Sequence, residues 1–222
     1  MVSRTLVVAP HPDDEILGCG GTLLRRKAEG GMLGWLIVTG MSEDAGWPAD
    51  QVMRRDEAIS SVAEMIGFDD VFNLRLPPAG LDSTPLGDLV PRFSDVFKSF
   101  APEEVLVPHR GDVHSDHRVT FDIVAACAKW FRYPSVRRVL GYETLSETEF
   151  GLSRESAFHP NYFVDIDRYL ARKLEIMEVY KSEVGEFPFP RSLRAMRALA
   201  EWRGAAAGFM AAEAFELLRE RQ

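Results

Sequence analysis

The chain has 222 residues with 26 basic and 34 acidic side chains, which gives a formal net charge of −8 at neutral pH. At roughly 150 residues per domain, this length argues against two large units, so we expect a single domain over residues 1–222. The 46% hydrophobic and 27% charged residues are typical of a globular protein and exclude a disordered chain. The acidic balance argues against a nucleic-acid partner, because binding to phosphates relies on an excess of Lys and Arg.

The sequence shows no targeting or disulfide pattern. No apolar run approaches the ~18 residues of a membrane span, and the first residues lack the features of a secretory signal. Two cysteines, Cys19 and Cys127, are too few for a disulfide framework. We therefore expect a cytoplasmic protein with reduced thiols and no membrane insertion. Whether copies of the chain form a homo-oligomer is left open.

Short apolar runs alternate with longer amphipathic stretches in the first half. Buried strands are predicted at 5–9, 33–39, 71–76 and 104–108. Helices are predicted at 15–28, 50–66, 87–100 and 116–131. This alternation is typical of an α/β fold, a Rossmann-like and mostly parallel sheet with helices on both faces. Right-handed crossovers favour the strand order 3-2-1-4-5, in which the first and fourth strands are neighbours.

The last third of the chain is less regular. The pattern predicts strands at 136–142 and 162–166, a helix at 167–183, and a largely helical stretch at 192–221. Pro188 and Pro190 predict an irregular loop before that last stretch. We expect part of residues 143–222 to form an irregular and helical extension near the active site.

A first polar cluster, His11-Pro12-Asp13-Asp14-Glu15, directly follows the first predicted strand. One interpretation is structural, since an aspartate before an apolar run commonly caps a helix. The other is functional, with an imidazole and several carboxylates on the turn that leaves a buried strand. This segment alone does not decide between the two.

A second polar cluster follows the fourth predicted strand. Three of the five histidines in the chain, His109, His114 and His117, fall within nine residues here, together with Asp112 and Asp116. Asp116 has a structural alternative as the cap of the next helix. Solvation alone is a poor explanation for so many histidines in one loop.

The predicted strand order brings both clusters to one edge of the sheet. Histidine and aspartate ligands with an open position are typical of catalytic zinc, because such sites leave room for water. A structural zinc would use four protein ligands, usually with cysteine, and neither cysteine has the CxxC spacing. Carboxylates and histidines that bind no metal can then transfer protons. The combined pattern favours a hydrolytic metal site.

Several segments resemble a known family. Ala9-His-Pro-Asp-Asp-Glu15, Gly18-Cys-Gly-Gly21 and His114-Ser-Asp-His117 are similar to the signature motifs of the PIG-L/LmbE-type N-acetylglucosaminyl deacetylases. Arg54-Arg-Asp-Glu-Ala58 also resembles that family. The resemblance implies a Rossmann-like fold and removal of the acetyl group from an N-acetylated amino sugar or its conjugate, a small-molecule substrate. It also implies Zn²⁺ or another divalent metal as the cofactor.

The resemblance also implies roles for individual residues. Three residues match the metal ligands: His11, Asp14 and His117. Asp13 matches the general base. His114 matches the residue that stabilises the oxyanion or passes a proton, and Asp116 matches a carboxylate that orients a histidine. In the mechanism that we expect, a protonated His114 stabilises the oxyanion together with the metal. Arg54 matches a position associated with substrate binding.

The segment Leu76-Pro-Pro-Ala-Gly80 departs from the family pattern, which often has an Asp-Gly element there that helps to hold the sugar. We therefore expect sugar contacts unlike those usual in the family. Two alternatives stay open, a metal-dependent hydrolase of a non-sugar acyl amide and a non-catalytic Rossmann-like ligand-binding protein. Asp13 argues against the second, because a protein that only binds has no use for a base beside the metal ligands.

Overall fold

A computed structural model describes residues 4–222. The seven strands are β1 (Arg4–Ala9), β2 (Met32–Thr39), β3 (Asp70–Leu76), β4 (Glu104–Pro108), β5 (Arg138–Tyr142), β6 (Tyr162–Asp165) and β7 (Ala212–Glu220). The α-helices are α1 (Asp14–Ala28), α2 (Ala49–Ile66), α3 (Leu86–Phe100), α4 (Ser115–Cys127), α5 (Asp167–Met177) and α6 (Leu193–Ala207). No helix within residues 4–222 is long and apolar enough to span a bilayer.

The strands form one sheet in the order β3-β2-β1-β4-β5-β7-β6. The first five strands pair in parallel, which confirms the predicted 3-2-1-4-5 order and the α/β class. β7 runs antiparallel between β5 and β6. Helices cover both faces, as the alternation of strand residues requires. Leu6 and Val8 join a core with α3 and α4, whereas Val7 and Ala9 join the core under the other helices.

The prediction of a largely helical stretch at 192–221 is wrong beyond α6. Gly208 adopts a left-handed φ of 79° and ends the helix, and residues 212–220 form β7 instead. The alanine, glutamate and leucine residues there favour a helix by propensity. Pairing with strands on both sides and burial of Ala212, Ala214 and Phe215 outweigh that preference. The helix predicted at 167–183 likewise ends early, at Met177.

The first turns of α1 pack very closely against the sheet. A Cβ atom at Gly18 would lie 2.2 Å from the Tyr142 ring, and one at Gly21 would lie 2.7 Å from Ile166. Glycine is therefore required at these positions for close packing of helix on sheet. This packing places the N-terminus of α1, which carries Asp14, next to the end of β5.

Candidate metal centre and active site

A cavity of about 270 Å³ lies at the edge of the sheet where the parallel strands end. Segments that follow all five parallel strands line it, as shown by His11, Gly40, Pro78, His114 and Thr144. β1 and β4 are direct neighbours in the sheet, so the two polar clusters meet here. This is the position at which open parallel sheets bind ligands.

His11, Asp14 and His117 converge on one point beside the cavity, with possible ligand atoms within 4.8 Å of one another. Asp14 Oδ2 lies 3.4 Å from His11 Nδ1 and 3.3 Å from His117 Nε2. His117 Nε2 is buried and has no hydrogen-bond partner among the described residues. An unpartnered imidazole nitrogen facing a carboxylate suits a cation, and nitrogen and oxygen donors are what zinc takes.

Asp112 fixes the orientation of His117. Asp112 is buried, and its Oδ2 accepts a hydrogen bond from His117 Nδ1 at 2.8 Å. Because Nδ1 carries the hydrogen, Nε2 keeps its lone pair for a metal. Sequence reasoning counted Asp112 in the second cluster without giving it a role. Its position five residues before His117 carried no signal of this contact.

Asp116 orients His11 rather than capping a helix. Its Oδ2 lies 3.1 Å from His11 Nε2, and its carboxylate also accepts from the backbone N–H groups of Ala79 and Leu81. The capping residue of α4 is His114, so the structural alternative for Asp116 is wrong. His11, His114 and Asp116 also lie close enough for a metal. The Asp116 carboxylate, however, already accepts three hydrogen bonds, so it has little remaining capacity to bind a metal ion.

Neither aspartate of the first cluster caps α1. Asp13 occupies the N-cap position with a strained φ of 138° and no capping hydrogen bond from its side chain. Asp14 Oδ2 accepts from the backbone N–H of His11, outside the helix. Positive φ angles also occur at Ala79 and Ser146, which line the same cavity. Such strain in non-glycine residues is typical of functional sites.

The two neighbouring carboxyl groups differ sharply in acidity. Burial, together with repulsion from Asp14 and Glu183, raises the pKa of Asp13 to about 8. Burial also opposes ionisation of Asp14, but the adjacent His117 and His11 outweigh it and hold the pKa of Asp14 well below its usual range. When the surroundings shift the pKa values of two neighbouring groups in opposite directions, the two groups can take different roles. Here a raised pKa suits proton transfer, and a lowered pKa suits binding of a metal.

The His114 ring has a defined tautomer. The backbone N–H of Asp116 donates to His114 Nδ1 at 3.1 Å, so Nδ1 accepts and the ring hydrogen is on Nε2. Burial and the nearby His11 lower the pKa of His114. The protonated form expected from the sequence stays a prediction, and the neutral ring in this tautomer also presents an N–H group.

Arg54 does not line this cavity but lies in an adjoining cleft that shares Arg55 and Glu183 with it, so its expected substrate contact stays a prediction. Its side chain is 61% exposed and pairs with Asp50 one helical turn away. The next residue, Arg55, lines the cavity and donates to the Pro12 carbonyl and to Glu183. Arg191 donates to the same Glu183 from the far end of the chain. Sequence reasoning missed Glu183 and Arg191, because only the fold brings them to this cavity.

The family model described as "PIG-L: GlcNAc-PI de-N-acetylase" matches residues 6–128, which carry both polar clusters. The chain belongs to the PIG-L family. The resemblance in the sequence motifs is thereby confirmed.

Two curated proteins are similar to this PIG-L family member. The chain is 25% identical over 184 residues to the uncharacterized deacetylase YaiS of Escherichia coli K12, covering 80% of this chain and 90% of that protein. It is 25% identical over 195 residues to the diacetylchitobiose deacetylase of Thermococcus kodakarensis, covering 83% and 72%.

Solved structures share the fold over the whole chain. The conserved protein TT1542 of Thermus thermophilus superposes with a TM-score of 0.79 at 27% identity, covering 100% of this chain and 97% of that one. The 4-carboxy-2-hydroxymuconate hydratase GalB of Pseudomonas putida KT2440 reaches a TM-score of 0.76 at 17% identity, covering 100% and 98%. The second likeness shows the fold alone, since one fold can host different reactions.

Proposed function

We propose that this protein is a zinc-dependent hydrolase that removes the N-acetyl group from an amino sugar or its conjugate. The observation that carries the proposal is the placement of buried Asp13 directly beside the converging His11, Asp14 and His117. Metal-dependent hydrolysis needs a general base beside the metal ligands, and a carboxylate can act as that base.

Zn²⁺ or another divalent metal would be held by His11 Nδ1, Asp14 Oδ2 and His117 Nε2. When bound, such an ion lowers the pKa of water toward ~7 and polarises a carbonyl group. Asp112 and Asp116 hold the two imidazoles in the tautomers that ligation needs.

Asp13 acts on the attacking water molecule. It takes a proton from the water as the oxygen bonds to the acetyl carbon, and the carbonyl oxygen gains negative charge. Nε2–H of His114 donates a hydrogen bond to that oxygen, which stabilises the charge. Because His114 carries only one hydrogen, Asp13 passes its proton to the leaving nitrogen as the C–N bond breaks, releasing acetate and an amine.

The size of the cavity supports a small substrate. Small-molecule pockets measure roughly 300–1,000 Å³, and about 270 Å³ lies at the lower end. A ligand about the size of one sugar unit suits this space, with any conjugate outside it. The name of the Thermococcus relative supports an N-acetylated sugar as the substrate class.

Acetate release by purified protein tests the proposal. Zinc-loaded protein is incubated with free N-acetyl sugars, glycosides, nucleotide-sugars and non-sugar acetamides, with a chelated sample as control. We expect release from at least one sugar class, abolished by the chelator and restored by zinc. Acetate release from the non-sugar acetamides alone would support the deacetylase activity and refute an amino sugar as the substrate. No release from any compound would refute the hydrolase and favour a non-catalytic binding role.

A further inference from the structure

Two buried polar atoms in the loop after β5, at the wall of the cavity, have no hydrogen-bond partner within the described part of the chain. Thr144 is 1% exposed, and its Oγ1 has no hydrogen-bond partner among residues 4–222. Glu147 Oε2 is also buried and without such a partner. Both residues line the cavity that contains the metal ligands.

Such atoms are rare, since buried polar groups in native proteins are nearly always hydrogen-bonded. In the described part of the chain, the other buried side-chain atoms without partners are His117 Nε2, Thr22 Oγ1, Trp35 Nε1 and Thr120 Oγ1. A metal accounts for His117, and the other three do not line the cavity. Thr144 and Glu147 therefore differ from the other three residues, because both of them line the cavity in which the substrate is proposed to bind.

The loop is held in place by hydrogen bonds that lead to the metal ligands. Thr148 Oγ1 accepts from the backbone N–H of Thr144 at 2.8 Å and donates to Asp112 Oδ1 at 2.6 Å. The other oxygen of Asp112 accepts from His117. The Val113 N–H also donates to the Glu147 carbonyl. The two unsatisfied groups thus have a fixed position relative to the metal centre, which suits specific binding.

Several other polar side chains around the cavity already have hydrogen-bond partners within the described residues. Thr39 Oγ1 donates to the Pro10 carbonyl, and Ser146 Oγ accepts from Arg191. Arg55 and Arg191 both bind Glu183. Pro78 and Ala79, which follow β3, have no side-chain donor or acceptor. The unsatisfied atoms of Thr144 and Glu147 are therefore the main candidates for polar contacts with a bound sugar.

We propose that Thr144 and Glu147 bind one hydroxyl group of the substrate and select for hydroxylated amides. A hydroxyl group both donates and accepts, so it can donate to the Glu147 carboxylate and accept from Thr144 Oγ1–H. An amide N–H can only donate and would satisfy one of the two. This inference rests on the proposed deacetylation. The subsite then binds a hydroxyl group of the sugar ring near the acetamido group.

Calorimetric binding to zinc-loaded Asp13→Asn protein tests the subsite without turnover. The probes are N-acetylglucosamine and N-acetylcyclohexylamine, which has a ring of the same size without hydroxyls. We expect N-acetylglucosamine to bind about 10- to 100-fold more tightly, as hydrogen bonds to a charged group allow. Adding Glu147→Gln or Thr144→Val should reduce that ratio at least several-fold, while zinc content stays unchanged.

Thr22→Val is the matched control, because it removes a buried, unpartnered hydroxyl remote from the cavity. It should leave the ratio of affinities unchanged. Equal binding of the two probes, or a ratio that survives both cavity substitutions, would overturn the subsite and leave only water at these atoms. Failure of the proposed function shows separately, as absence of acetate release by the wild-type protein.

Discussion

Asp13 and Asp14 are adjacent in sequence, yet their surroundings give them opposite acid–base properties. Asp14 faces two imidazoles, which favour its ionised form. Asp13 faces other carboxylates in a buried setting, which favours its protonated form. The strained φ of Asp13 turns its side chain away from capping and leaves it in the cavity. The proposed base and the proposed metal ligand are thus adjacent residues with different environments.

The first prediction separates these two roles. Asp13→Asn should keep the metal and lose activity by about 10²–10⁴-fold, because a positioned base contributes that much. Asp14→Ala should instead lose metal affinity, as elemental analysis after dialysis would show. Metal loss in the Asp13 variant together with full activity in the metal-loaded Asp14 variant would reverse the assignment.

A second prediction compares two neighbouring arginines on α2. Arg55→Ala removes the contacts to the Pro12 carbonyl and Glu183 at the cavity, so KM for an N-acetylated sugar should rise about 10-fold or more. Arg54→Ala removes an exposed pair with Asp50 and should leave both kcat and KM unchanged. Steady-state kinetics on both variants decides this, and an effect confined to Arg54→Ala would instead support the substrate contact expected at Arg54 from the sequence.

At the scale of elements, β7 and α5 hold α1 in place through a buried ion pair. Lys173 Nζ donates to Glu213 Oε1 at 2.7 Å and to the Leu17 carbonyl at 2.9 Å. The Glu213 carboxylate also accepts from the backbone N–H groups of Gly21 and Thr22 within α1. Because α1 begins at Asp14, these contacts link the last strand of the chain to the metal centre.

The third prediction concerns the stability that this pair supports. Lys173→Met leaves the Glu213 charge buried without its partner, so the free energy of unfolding should fall by about 3–5 kcal/mol. Asp50→Asn breaks the exposed pair with Arg54 and should change it by less than about 1 kcal/mol. Urea denaturation measures both. Similar values for the two variants would show that the Lys173–Glu213 pair does not stabilise the fold.

At the scale of the whole molecule, His109 joins distant parts of the chain. Its Nδ1 lies 2.9 Å from Glu216 in β7, and its Nε2 lies 2.8 Å from the Ser156 carbonyl. Both partners are acceptors, so both are satisfied only by a protonated ring. Burial opposes that charge, but Glu216 and the Ser156 carbonyl outweigh it and raise the pKa of His109.

The fourth prediction is a pH dependence of stability. A raised pKa means that His109 stabilises the folded state fully below its unfolded pKa of about 6.5, and that this contribution is lost as pH rises through the folded pKa. His109→Gln should therefore lower the free energy of unfolding more near pH 6 than near pH 9. Equal losses at both pH values in His109→Gln would contradict the proposed charge.

The α/β class, the order of the five parallel strands and the meeting of the two polar clusters followed from sequence alone. Apolar runs of strand length, amphipathic stretches of helix length and right-handed crossovers are local or topological properties. His11 follows β1, and His117 lies in the segment after β4. Because β1 and β4 are neighbours in the sheet, the strand order was enough to bring the two histidines together.

Two kinds of feature could be known only from the tertiary structure. They are the side chains that a helix turns toward the cavity and the contacts between residues distant in sequence. Whether Arg54 or Arg55 reaches the cavity depends on how α2 is rotated against the sheet. Residues 212–220 become a strand because β5 and β6 offer them backbone partners, which no local pattern encodes. Thr144, Glu147, Glu183 and Arg191 belong to loops whose positions are set by contacts far along the chain. Only the folded arrangement of the sheet and its loops brings their side chains to one site.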